Sequence, residues 1–304
     1  MEQPLVSIVI PCYNAATYLE ACLQSLYAQT YPHLEIILID DGSSDGTLEI
    51  IKQQGDRVLY RTGPNQGANA ARNTGMDMAR GKYLKFFDAD DIMLRDAIAM
   101  QVDGMEKLQP HQFIYGDVVD LDSKKPVFDN IFTSSEVTRD EMIYQLFEGN
   151  ILTGCPLHQR QFIVDHGLRF EECLLSAQEW DFHLQIALAG GIFVHQDTLI
   201  YYYRDHDEPD RINQVMKQRE VKLREFCLRY EVACPKIIAG YANQVMYPPI
   251  KTIIRNRLAK IEAKLVRAKQ QDEALNVREI RKDLDPLWRV LLMDLRYICR
   301  RHFK

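Results

Sequence analysis

Short apolar runs alternate with segments of helical periodicity through the first third of the chain. Runs rich in β-branched residues predict buried strands, and apolar residues that recur every three or four positions predict amphipathic helices. The predicted strands lie at 5–10, 34–40, 57–60 and 82–91. The predicted helices lie at 17–29, 47–54 and 67–81. Strands that alternate with helices at short intervals form βαβ units, so we expect an α/β fold with a mostly parallel central sheet.

The middle of the chain mixes strand and helix signals. Thr138, followed three residues later by Glu141, predicts a capping box at the start of a helix. The segment 176–191 has helical spacing and ends in two glycines, a common helix stop. Residues 192–206 are strand-like and end in polar side chains. These elements extend the α/β region to about residue 210.

Beyond residue 210 the pattern is almost wholly helical, interrupted by the proline pair in 247–250. We therefore predict two domains, an α/β domain at 1–210 and a helical, basic region at 211–304. Residues 251–304 carry 15 Lys and Arg against 7 Asp and Glu, whereas the whole chain has a formal net charge of −6. Such asymmetry indicates either an anionic partner or a solvated helical face.

Composition narrows the class of protein. Hydrophobic residues make up 46% of the 304 positions and charged residues 26%, as in ordinary globular proteins. The net negative charge gives no support to a nucleic-acid binder. The seven cysteines form no CxxC pair, so neither a zinc site nor a disulfide framework is expected. No apolar run approaches the roughly 18 residues that span a bilayer, and no signal peptide is recognised. We expect a cytoplasmic protein.

Polar residues follow three of the predicted strands, at 11–14, 40–41 and 88–91. In open α/β sheets, ligands bind beyond the carboxyl ends of the strands. The three segments are therefore expected to meet at one edge of the sheet and to form a binding site there.

The stretch FFDADD places Asp88, Asp90 and Asp91 within four positions, where like charges repel unless a cation is present. Carboxylates at a strand end suit a hard divalent cation, although a solvated turn would look the same. The Asp40–Asp41 pair could accept hydrogen bonds from a base or ribose, or belong to a polar loop. No GxGxxG or GxxxxGK[ST] motif is present, which argues against the usual dehydrogenase and P-loop sites.

Six motifs follow one another along the chain: VSIVIPCYN (6–14), IDDGSSDGT (39–47), NQGANAARNTG (65–75), GKYLKFFDADD (81–91), QEWDFHLQIA (178–187) and YYRDH (202–206). Taken together, they resemble those of the family 2 glycosyltransferases, which have the GT-A fold. They occur in family order and spacing and cover roughly the first 206 residues.

The resemblance implies a divalent metal, Mn²⁺ or Mg²⁺, that bridges the phosphates of a nucleotide-sugar donor, expected to be a UDP-sugar. Its implied metal ligands are Asp90, Asp91 and His206. The residues implied to bind the nucleotide-sugar are Pro11, Tyr13, Asn14, Asp40, Asp41, Arg72, Asn73, Asp88, Asp90, Arg204 and His206. Several have a structural alternative: Tyr13 as a helix-entry residue, Arg72 and Asn73 as a surface pair, and Arg204 and His206 as exposed loop residues.

Inverting transfer needs a carboxylate that removes the proton of the acceptor hydroxyl. The family's segment reads Glu-Asp-Trp-Asp, and its second acidic residue is the base. Here Glu179 fills that position, with Gln178 in place of the preceding Glu, and Asp181 is the alternative base.

The acceptor implied by the resemblance is a glycan or a lipid-linked glycan of bacterial surface polysaccharide synthesis. The segments 250–270 and 286–304 mix basic and apolar residues at helical spacing. They are expected either to bind the anionic inner face of the membrane, or to pack on the catalytic domain or form a dimer.

Two other functions remain open from the sequence. A nucleotidyltransferase would also combine an α/β fold with metal carboxylates, but the loop PCYNAATY lacks the basic, glycine-rich character that holds a triphosphate. A non-catalytic sugar-nucleotide-binding domain is supported only by the Glu for Asp exchange at position 179.

Overall fold

The computed structural model describes residues 3–127, 137–206, 212, 216–217, 219–241, 246 and 248–267. The chain divides into two compact units. The first comprises Met1–Cys173 and Gln178–His206, and the second comprises Leu174–Ala177 and Asp207–Lys304. The short segment Leu174–Ala177 thus groups with the C-terminal region, which the sequence did not suggest. The functional boundary between 1–210 and 211–304 stays a prediction.

The first unit is built on a mixed sheet, in which eight strands are described. They are β1 (Val6–Cys12), β2 (Leu34–Asp40), β3 (Leu59–Thr62), β4 (Tyr83–Phe86), β5 (Ile92–Met93), β6 (Gln112–Asp120), β7 (Pro156–Gln159) and β8 (Ile192–Tyr203). Their order is β3-β2-β1-β4-β7-β6-β8-β5. Strands β3, β2, β1 and β4 are parallel, as are β6 and β8, whereas β7 and β5 run antiparallel to their neighbours. The expected α/β class with a mostly parallel sheet is confirmed.

Helices connect and cover these strands. Those of the first unit are α1 (Leu19–Tyr27), α2 (Thr47–Gln53), α3 (Ala68–Met78), α4 (Ala97–Met105), α5 (Arg139–Glu148), α6 (Arg160–Asp165) and α7 (Gln178–Leu188). The capping box expected from Thr138 and Glu141 is present at the start of α5. The third strand starts two residues later than expected, because Gly55–Arg57 forms a 3₁₀ turn.

Strand β1 is central and covered on both faces, so its residues are buried consecutively rather than alternately. Helix α3 packs closely on it. A β-carbon at Gly75 would lie 2.3 Å from Cγ1 of Val9, so only glycine fits at this position without movement of the strand. This close approach holds the segment NQGANAARNTG beside the end of β1.

The parallel register brings the ends of β1, β2 and β4 to one edge of the sheet. Cys12 lies opposite Asp40, and Val9 lies opposite Phe86. Past the end of β4, the Phe87 amide donates to the Val9 carbonyl at 3.0 Å, which continues the pairing toward the carboxylates. The predicted binding edge is therefore formed by the segments that follow these three strands.

The described part of the second unit is helical, as expected, and contains α8 (Arg219–Gly240) and α9 (Pro248–Arg267). Helix α9 covers most of the predicted amphipathic segment 250–270, whereas 286–304 lies outside the described residues. None of the described helices combines the length and apolar character needed to cross a membrane.

Candidate active site

The loops after β1 and β2 are tied together by Asn14, which has a left-handed backbone conformation with φ of 46°. Its amide N–H donates to Ser43 Oγ at 3.0 Å, and its side-chain oxygen accepts the Ser44 amide at 2.9 Å. Tyr13 beside it is 43% exposed, so its ring is available to a ligand. Asn14 thus shapes the loop on which Tyr13 is presented.

Asp40 and Asp41 are both buried and organise the neighbouring loops. Asp40 Oδ2 accepts the Thr62 hydroxyl at 2.7 Å. The two carboxylate oxygens of Asp41 accept the backbone amides of Gln66 and Gly67, each at 2.8 Å. These loop-building bonds were not foreseen from the sequence. Recognition of a nucleobase by either carboxylate stays a prediction.

The carboxylates of FFDADD point to different partners. Asp88 Oδ1 accepts Arg72 Nη2 at 2.8 Å, and Asp90 Oδ2 lies 3.0 Å from His206 Nε2. Asp91, only 2% exposed, accepts a backbone amide from the segment that follows β8. The chain itself therefore supplies partners that offset the repulsion expected from the sequence.

The segment after β8 closes on this carboxylate loop. The Arg204 amide donates to Asp91 Oδ1 and its Nε donates to the Asp90 carbonyl, both at 2.9 Å. Tyr18, just before α1, packs against two side chains of this segment: its ring centroid is 4.6 Å from that of His206 and 5.1 Å from the Arg204 guanidinium carbon. Tyr18 carried no motif signal, because its role depends on a segment 186 positions away.

The side chains expected to hold a metal lie in the carboxylate loop and in the segment that closes on it. Asp90 and His206 lie side by side, with the Asp90 side chain 26% exposed, and Asp91 accepts a bond from the same closing segment. Carboxylate oxygens are ligands suited to Mn²⁺ and Mg²⁺, so this donor set fits. Among the described residues, however, no group of three or more His, Cys, Asp or Glu side chains is arranged to hold a metal. Donor phosphates would have to complete the coordination.

Arg72 connects the carboxylate loop to α7. Its Nη2 pairs with Asp88, while its Nη1 donates to Gln178 Oε1 at 2.6 Å and lies 3.4 Å from Asn69 Oδ1. Arg72 is almost completely buried, and its Nε has no hydrogen-bond partner within the described ranges. The surface-pair alternative for Arg72 is therefore wrong, because the guanidinium lies inside a polar network. The importance of Gln178 was missed, since the sequence presented it only as a departure from the family pattern.

Asn73 faces the segment that precedes α7. Its Nδ2 donates to the Phe170 carbonyl at 3.0 Å and to Glu172 Oε1 at 2.9 Å, and its Oδ1 accepts the Phe170 amide at 2.9 Å. Both ends of the amide are thus used to fasten α3 to residues 170–172. Asn73 therefore holds α3 against this segment, and its contact with a donor stays a prediction.

The two candidate bases differ in exposure. Asp181 is fully buried, and its Oδ2 accepts Gln185 Nε2 at 2.8 Å. Glu179 is half-buried, and its Oε1 accepts Asn150 Nδ2 at 2.6 Å. An acceptor hydroxyl must reach the base, so the geometry favours Glu179 over Asp181.

Comparison with solved structures shows the same class of fold. The complex of S. aureus TarS (residues 1–349) with UDP aligns with a TM-score of 0.67 at 19% identity, covering 96% of this chain and 87% of that one. The Pyrobaculum calidifontis mannosyltransferase in complex with GDP-Man and Mn²⁺ aligns with a TM-score of 0.54 at 18% identity, covering 98% and 86%. At these identities the likeness concerns the fold, and the expected GT-A architecture is confirmed.

Sequence comparison points to the same family. The glycosyl transferase family 2 profile matches residues 7–155, just under half of the chain, and this match supports a family 2 glycosyltransferase. An uncharacterised glycosyltransferase of Rickettsia prowazekii is 29% identical over 200 residues, which are 65% of this chain. The match covers 63% of that relative, so the chain corresponds to less than two thirds of its length.

Proposed function

We propose that this chain is an inverting, metal-dependent glycosyltransferase. It moves a sugar from a UDP-sugar to a hydroxyl of a glycan or lipid-linked acceptor, in the cytoplasmic synthesis of bacterial surface polysaccharide. The match to the glycosyl transferase family 2 profile supports the reaction class. The ligands bound in the two structural neighbours, UDP in one and GDP-Man with Mn²⁺ in the other, support a nucleotide-sugar donor and a divalent metal.

One observation carries the proposal: Arg72 joins Asp88 of the carboxylate loop to Gln178 on α7. Gln178 directly precedes Glu179, so this bridge connects the carboxylate loop to the helix turn that carries the proposed base. Transfer between a donor and an acceptor requires such a fixed relation, because the reacting atoms must be held in a near-attack geometry.

The chemistry assigned to the chain's own residues is as follows. Glu179 takes the proton of the acceptor hydroxyl as its oxygen forms a bond to the anomeric carbon. The bond from that carbon to the phosphate oxygen breaks, and its electron pair leaves with the nucleoside diphosphate. Attack on the face opposite the leaving group inverts the anomeric configuration. Asp90, Asp91 and His206 would hold a divalent cation only together with the donor phosphates, and this cation would stabilise the charge on the diphosphate.

The proposal includes peripheral contact with the inner face of the membrane, supported by the excess of 15 basic over 7 acidic residues in 251–304. In α9, Ile250, Ile253 and Ile254 are buried, whereas Lys260 is exposed. These isoleucines are used for packing, so α9 would contact a membrane through charge rather than by insertion. Dimerisation through the C-terminal helices is the alternative.

The test of the proposal is Glu179→Gln, with Asp181→Asn as the matched control. A general base contributes about 10²–10⁴ in rate, so kcat of Glu179→Gln should fall by that factor. Affinity for UDP with Mn²⁺, measured by calorimetry, should stay unchanged because the carboxylate acts on the acceptor. A panel of nucleotide-sugars, screened by metal-dependent thermal stabilisation, identifies the donor to be used. If Asp181→Asn loses transfer while Glu179→Gln keeps it, the two roles must be exchanged.

A further inference from the structure

The side chain that touches the proposed base is Asn150. Its Nδ2 donates to Glu179 Oε1 at 2.6 Å, across 29 positions of sequence. Asn150 belongs to none of the motifs that identified the family. A bond to one carboxylate oxygen fixes the rotation of the carboxylate and leaves the other oxygen to receive a proton.

The position of Asn150 is fixed by the packing of α5 on α7. Asn150 follows the end of α5 by two residues, and the Gly149 amide closes that helix by donating to the Gln145 carbonyl at 3.0 Å. On α7, the residue after Glu179 is Trp180, whose Nε1 donates to the Leu146 carbonyl at 2.5 Å. The buried indole therefore ties the end of α5 to the helix turn that carries the base.

The amide of Asn150 is poorly satisfied as a structural group. Its Oδ1 is buried and has no hydrogen-bond partner among the residues that the structure describes. A buried carbonyl oxygen without a partner costs folding free energy, so this side chain is expected to contribute little to stability. The opposite assignment of the amide would turn that oxygen toward the Glu179 carboxylate, where two acceptors repel. Of the two ends of the Asn150 amide, only Nδ2 is used within the described part of the chain, and it is used to bind Glu179.

We propose that Asn150 is a positioning residue that orients the Glu179 carboxylate for proton removal. This inference rests on the proposed function, in which Glu179 is the base. Asn150 acts through Glu179 and does not touch the donor. The Asn150 amide is neutral, so it can hold the Glu179 carboxylate without competing for the proton that Glu179 takes up. A second acidic side chain at this position would compete for that proton.

The experiment compares Asn150→Ala, Asn150→Asp and the control Gln145→Ala, in the full chain. Gln145 lies on the same helix and is half-buried, so its variant reports any general effect of disturbing α5. Asn150→Ala should lower kcat about 10- to 100-fold, the factor equivalent to one hydrogen bond to a charged group. The donor KM and the melting temperature should stay at the wild-type values, and Gln145→Ala should retain wild-type kcat.

Asn150→Asp supplies a readout that a purely structural role would not move. It keeps the shape of the side chain but places a second carboxylate beside Glu179, and two acids this close cannot both ionise readily. The acidic limb of the kcat–pH profile should therefore move to higher pH. A profile with an unchanged acidic limb would overturn the inference.

A double variant separates this inference from the proposed function. If Asn150 acts only through the base, adding Asn150→Ala to Glu179→Gln should cause no further loss of kcat. A double variant that loses the full product of the two single effects would refute the positioning role while leaving Glu179 as the base. Wild-type kcat in Glu179→Gln alone would instead refute the proposed base, and the inference with it.

Discussion

His158 on β7 makes the folded state sensitive to acid. Its ring is fully buried among aromatic side chains, with centroids 5.4 Å from Phe86, 6.0 Å from Phe113 and 5.8 Å from Phe182. Burial, followed by repulsion from the nearby Lys85, lowers the pKa of His158 from 6.5 to about 3. The folded protein therefore keeps this imidazole neutral at pH values where the unfolded chain protonates it.

The difference between the pKa of His158 in the folded and unfolded states makes the protein less stable in acid. Above pH 6.5 the imidazole is neutral in both states, and as the pH falls toward 3 only the unfolded state gains a proton. Each pH unit in this window costs about 1.4 kcal/mol of stability, so the contribution of His158 at pH 5 is a loss of about 2 kcal/mol. His183, also buried and with its pKa lowered by burial, adds to the loss in the same direction.

The perturbation is His158→Phe, which keeps an aromatic ring and removes the titrating group. The variant also loses the 3.3 Å contact between Nδ1 and the Leu84 carbonyl, an offset of about 1 kcal/mol that does not depend on pH. The assay is urea unfolding at pH 7.5 and at pH 5, followed by tryptophan fluorescence, to which the buried Trp180 contributes. Between pH 7.5 and pH 5 the free energy of unfolding should decrease in both proteins. The decrease should be about 2 kcal/mol smaller in the variant than in the wild type. Equal losses in the two proteins would refute the reasoning.

Two further variants test the carboxylate loop. In Asp91→Asn the side-chain oxygen can still accept the Arg204 amide, so the circular dichroism spectrum should be unchanged. Sugar transfer and Mn²⁺-dependent UDP binding should be lost. Transfer at the parent rate would show that the metal assignment is wrong. Arg72→Lys keeps the positive charge, but one ammonium group cannot bridge Asp88 and Gln178 as the guanidinium does. The kcat should therefore fall about tenfold or more. An unchanged kcat would contradict the bridging role.

Much of the fold could be predicted from the sequence, because local periodicity and turn chemistry specify the elements directly. The second strand was expected at 34–40 and is Leu34–Asp40, and the capping box of Thr138 with Glu141 forms as its spacing indicates. The third strand was misplaced by two residues, since nothing in 55–57 distinguishes a 3₁₀ turn from the start of an extended segment.

Periodicity was also enough to place the polar residues of the predicted site at one edge of the sheet, because side chains that follow buried parallel strands emerge together. The contacts that each of these side chains makes depend instead on how distant segments pack. Arg72 reaches Gln178 across 106 positions and Asp90 reaches His206 across 116, distances over which sequence periodicity carries no information. The choice between Glu179 and Asp181 was likewise set by helix packing, which buries one carboxylate completely and leaves the other half-exposed beside Asn150.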